Sequence, residues 1–152
     1  MKKNTCYTYF QICGKFDPDM VTSLLALEPF EWDNDFDDEI EPDISSWKFG
    51  LCCDYDVFVE NQMEKTIEPL LGKIDLLNKI REENDVKFYL EIVPKIANKK
   101  ESTPCLAPSF KVIEFCHKTR TEIDIDLYVL WFFFYIDKCL KMVYPRKGET
   151  YE

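Results

Sequence analysis

The sequence predicts an α+β two-layer sandwich: a four- or five-stranded sheet with helices on one face, built as two βαβ halves joined by a central helix, a ferredoxin-like variant. Three observations carry that expectation. Apolar residues recur at period two over residues 6–14, 46–53, 86–93 and 123–127, and the stretches between them run at helical period. Each half holds one short helix opened by a proline, Pro18 in the first and Pro108 in the second. With 152 residues, 46% of them hydrophobic and 15% aromatic, the chain has the length of one domain and ample material for one core. Residues 1–144 are expected to form that domain and 145–152 a flexible C-terminal tail.

The first strand, residues 6–14, places Thr8, Phe10 and Ile12 on one face and Tyr7, Tyr9 and Gln11 on the other, and it stops at Gly14. Phe16, Asp17, Pro18 and Asp19 then signal a helix start: Asp17 caps, Pro18 takes the first turn, and Phe16 is placed to staple onto Val21. Met20, Val21, Leu24, Leu25 and Leu27 make its buried face, and Pro29 ends it. The second strand puts Trp47, Phe49, Leu51 and Cys53 on one side and Ser46, Lys48, Gly50 and Cys52 on the other. Asp56 is placed to cap a helix carrying Val59, Met63, Ile67, Leu70, Leu71 and Ile74; Pro69 interrupts it, and Leu76, Leu77 and Ile80 continue a second piece to Glu83.

Asn84 and Asp85 turn the chain into a third strand, where Val86, Phe88, Leu90 and Ile92 alternate with Lys87, Tyr89, Glu91 and Val93. Residues 94–105 read as a loop. Pro108 opens the next helix with Ala107 at its N-cap and Ser109, Val112, Ile113 and Cys116 inward. A last strand turns Ile123, Ile125 and Leu127 inward and Asp124 and Asp126 outward, then runs on as Val129, Leu130, Trp131, Phe132, Phe133, Phe134, Tyr135 and Ile136. A strand apolar on both sides must be covered on both, either by residues 137–144 of its own chain or by a second copy in a homodimer.

Charge is distributed very unevenly. The chain has 29 acidic and 19 basic residues, a formal net charge of −10, and nine of the acids fall in residues 28–43, which contain no Lys or Arg. The remainder is close to neutral. Within that stretch Glu31, Trp32, Asp33, Asp35, Phe36, Asp37, Asp38 and Glu39 form the candidate partner-binding set, because aromatic anchors amid one sign of charge suit an interface with a basic protein. The plainer alternative is a connecting loop whose Phe30 and Trp32 tuck under the domain while its acids face water. A calcium loop fits poorly: Asp33, Asp35 and Asp37 alternate as required, but Asp38 stands where the turn needs Gly and Ile44 where it needs a bidentate Glu.

The acidic balance argues against nucleic acid and anionic membranes as partners, since both select basic patches. Lys95, Lys99 and Lys100 are too few to reverse that. No secretory signal follows Met1, and the longest apolar run is ten residues against the roughly 20 that cross a bilayer, so a cytoplasmic protein is expected. Seven cysteines without CxxC spacing read as free thiols. The single histidine, His117, adjoins Cys116 on a helix, where neighbouring side chains diverge, so the two make a poor nucleophile and base. Asp124 and Asp126, about 7 Å apart along a strand, are the other candidates for hydrolytic chemistry. Glycine-rich phosphate loops and nucleophile elbows are absent from the sequence, so no catalytic residue, metal or cofactor is assigned and a non-catalytic protein is expected.

Four segments, FDPDMVTSLLALEP (16–29) with the strand before it, SSWKFG (45–50), APSFKVIEF (107–115) and EIDIDLY (122–128), together resemble a bacterial family known as domain of unknown function 4279, DUF4279. The resemblance covers most of the chain up to Tyr128. It implies a compact α+β domain with no established activity, in a family of small bacterial cytosolic proteins some of which act as immunity proteins that neutralise toxins. The acidic stretch after the first helix and the aromatic extension after Tyr128 depart from the family pattern. The functional expectation is a small acidic protein-binding domain that engages a basic partner, such as a nuclease-like cognate toxin, through residues 28–43. The alternatives are a small hydrolase or metal-dependent enzyme and a self-associating structural protein.

Overall fold

The computed structural model describes residues 3–35, 44–53 and 58–130. Strand β1 (Thr5–Lys15) leads into helix α1 (Pro18–Leu25), strand β2 (Glu31–Asp35) and strand β3 (Ile44–Cys52). Helix α2 (Glu60–Ile67), a 3-10 segment (Glu68–Lys73) and helix α3 (Ile74–Glu83) follow, then strand β4 (Asp85–Ile96), helix α4 (Phe110–Thr119), strand β5 (Glu122–Ile125) and the two-residue strand β6 (Tyr128–Val129). The expected cap Asp56, residues 131–136 with the proposed homodimer contact, Cys139 and the tail 145–152 lie outside the described residues.

Neighbouring strands run in the order β2, β3, β1, β4, β5, with β6 also beside β4. β1 is antiparallel to both β3 and β4, β2 is antiparallel to β3, and β5 and β6 are parallel to β4. From β1 to β4 this is the β-α-β-β-α-β ferredoxin-like arrangement, and α4 with β5 extends it by one parallel strand. The α+β sandwich is therefore as expected, with six strands among the described residues in place of four or five. The first half differs in detail: its parallel pair is β1 and β2, with β3 inserted between them by the turn back from β2. β2 reads as loop in the sequence because Asp and Asn are poor strand formers; pairing with β3 overrides that preference.

The core lies between the sheet and its helices. Phe10, Ile12, Trp47, Phe88, Leu90 and Ile92 of the strands meet Val21, Met63, Ile67, Leu77, Ile80 and Phe115 of the helices, all buried. Asp17 caps α1 as expected, accepting from the Asp19 N–H at 3.0 Å. That helix stops before Pro29, however, because Ala26 adopts the left-handed conformation (φ 48°). Leu24, expected on its buried face, is 38% exposed.

The second strand is corrected at its end. Thr8 faces Cys52 while Phe10 faces Phe49, so β3 carries one residue more than β1, a bulge at Gly50 and Leu51. Gly50 has φ 71°, and a Cβ there would sit 2.9 Å from the Thr66 carbonyl oxygen. Beyond the bulge the faces exchange: Cys52 turns inward and Leu51 and Cys53 turn outward. The bulge also docks α2, since Thr66 Oγ1 donates to the Gly50 carbonyl at 3.0 Å and shares a 2.7 Å bond with Thr8 Oγ1.

Three further boundaries move. β4 runs through Pro94, where its pairing with β5 has ended at Ile92 and its pairing with β6 starts only at Lys95, so a missing N–H breaks no ladder on that side. α4 begins two residues later than expected, because Ser109 caps it by accepting from the Val112 N–H at 3.4 Å; Ala107 has no oxygen to offer. Phe115 and Thr119 join Val112 and Cys116 inside, while Ile113 is exposed. The last strand is two short pieces, and Ile123, Ile125 and Leu127 are 38%, 46% and 55% exposed where they were expected inward.

Candidate functional site

Alternation along β2 divides the acidic segment between two sides. Glu31 lies opposite Lys48 and Asp33 opposite Ser46, on the sheet face away from the helices. Trp32 lies opposite Trp47 on the helix side. Trp47 is fully buried, with its indole N–H donating to Thr22 of α1 at 3.0 Å, but Trp32 at the sheet edge is 53% exposed. Phe30, just before β2, is 44% exposed and stands edge-on to Tyr9 with centroids 5.6 Å apart. Neither ring is tucked away.

The Glu31 carboxylate is paired with the Lys48 ammonium. Asp33 has no ion-pair partner among the described residues. Asp35 closes β2 opposite Ile44, and Phe36, Asp37, Asp38 and Glu39 lie outside the described residues. Of the predicted set, then, Glu31, Trp32, Asp33 and Asp35 share one edge strand, and one of their carboxylates is already neutralised.

Beside this edge the open face carries a groove of about 290 Å³ that sequence reasoning did not single out, lined by Tyr7, Tyr9, Phe30, Glu31, Lys48 and Lys95 among others. Tyr7 and Tyr9, two residues apart on β1, stack at 6.2 Å. Lys95 Nζ sits 4.9 Å from the Tyr7 ring centroid and Lys48 Nζ 5.9 Å from that of Tyr9. Next to them Glu91, only 9% exposed, lies between Tyr9 on β1 and Asp124 on β5. Burial, then the charges of Asp124 and Asp126, push its carboxyl up to about 7, with Lys48 opposing. Burial and Glu91 in turn push the Tyr9 hydroxyl up to about 12. The alternating pattern of β1 and β4 placed these side chains outward, but only the strand register brings them together.

Cys116 and His117 do not face one another, whereas Asp124 of β5 and Asp126 just after it both lie close enough to Glu91 to raise its carboxyl. Cys116 is buried and its thiol is pushed up to about 11 by burial, away from the reactive thiolate, while His117 beside it is exposed. Six cysteines among the described residues are free thiols. Among the described residues no three His, Cys, Asp or Glu side chains gather as a metal site, and no helix is long and apolar enough to cross a membrane.

Fold and site together define a two-layer α+β domain with an open aromatic face and an acidic edge strand. Residues 4–130 match the family described as Domain of unknown function (DUF4279), and the chain belongs to that family. No curated protein and no solved structure matches it.

Proposed function

We propose that this chain is a non-catalytic protein-binding domain whose acidic edge, β2 with residues 36–43 after it, engages a basic protein. The observation that supports this best is the edge position of Trp32: a large aromatic held half in solvent between two carboxylates is the composition of an interface anchor, not of a solvated turn. Concentrated negative potential would steer a cationic partner, giving fast association that weakens with salt. Within this reading the partner is a toxin, to be sought first among nucleases, and the domain is its cytoplasmic immunity protein.

The test is capture on the immobilised chain at about 0.15 M and about 0.5 M salt, with the product of the adjacent gene tried first. A basic protein should be retained at the lower salt and lost at the higher. It should also be lost when Asp33, Asp35, Asp37 and Asp38 are reversed to Lys. Recovery of no basic protein, or of one indifferent to the reversal, overturns the proposal.

A further inference from the structure

We infer that β2 receives its partner as an added β-strand, a mode of binding that rests on the acidic-edge reading above. Among the described residues β2 pairs only with β3, so the alternate N–H and C=O groups on its outer side have no strand partner there. Natural edges are commonly guarded by charge. Here the guard has one sign: Glu31 and Asp33 stand on β2, within a stretch of sequence, residues 28–43, that holds nine acids and no Lys or Arg. Such an edge repels a second copy of itself and admits a basic segment, which fixes the occupant as another protein's cationic strand.

The two sides of β2 specify the pattern of that strand. A strand laid against it continues the period of two, so every second residue falls on the open face beside Glu31 and Asp33, and the others fall beside Trp32. The matching segment alternates Lys or Arg with Val, Ile or Thr. Because Lys48 already neutralises Glu31, Asp33 is the carboxylate on which the partner's cation gains most.

The experiment uses fluorescence anisotropy of a labelled peptide of about eight residues that alternates Lys and Val. Two further peptides carry N-methyl groups on every second backbone nitrogen, one in each phase. If the peptide adds as a strand, methylation in the phase that faces β2 weakens binding about tenfold or more, and methylation in the other phase changes it less than about twofold. Equal binding of both methylated peptides overturns strand addition while leaving the acidic-edge reading in place. Absence of binding by the unmethylated peptide overturns it as well. Undiminished binding to the chain carrying Glu31→Lys and Asp33→Lys overturns both.

Discussion

Glu91 shows how one side chain is set by neighbours that are distant in sequence. The fold raises its carboxyl from the ordinary 4.5 to about 7, so the folded state keeps a proton that the unfolded chain releases between those values. The resulting stability is fully present below about 4.5 and is lost as pH rises through about 7, a change on the order of 1–3 kcal/mol. Glu91→Gln, which keeps the shape and removes the titration, should flatten urea-denaturation midpoints between pH 5 and pH 8 and raise the one at pH 8. An unchanged slope would reassign the dependence to another group. Asp17 could be recognised as a cap because its partner is two residues away. Asn4 could not: it is 1% exposed, and its side chain clamps the loop after β4 through the N–H groups of Ala97 and Asn98 and the carbonyls of Asn98 and Ser102. Nothing near Asn4 in the sequence signals partners that far along the chain.

Elements were legible where local chemistry and tertiary packing agree. Pro69 divides the central helix into α2, a 3-10 segment and α3 because a proline removes a donor inside an otherwise continuous apolar stripe. They were hidden where packing overrides preference. β2 carries the wrong residues for a strand and exists because β3 templates it, and the bulge in β3 leaves no pattern beyond one glycine. The start of α4 tests the capping argument directly. Ser109→Ala should lower stability by about 1 kcal/mol in urea denaturation, whereas Ala107→Ser should leave it nearly unchanged. The reverse outcome would return the start of the helix to Pro108.

Across the molecule, stability is expected to be graded from the centre of the sheet outwards. β1 is hydrogen-bonded on both sides, and its Phe10 and Ile12 are fully buried against the helices. β5 is four residues long and exposed throughout. Native-state hydrogen exchange should therefore find the slowest amides in β1 and the facing part of β4, and the fastest strand amides in β5 and β6. Comparable protection in β5 would contradict that gradient. The ferredoxin-like class was readable from the alternation of strands and helices, whereas the order of the strands came only with their pairing; the edges, which carry the candidate site, were readable only as charge and aromatic content. The bulge at Gly50 reaches further than geometry. Two consecutive sulfurs at the end of β3 face opposite ways in any case, and by exchanging the sides of these residues the bulge turns Cys53 outward and Cys52 inward, so an electrophile meeting the folded molecule should react first at Cys53. One surplus backbone unit thus selects which neighbour reacts.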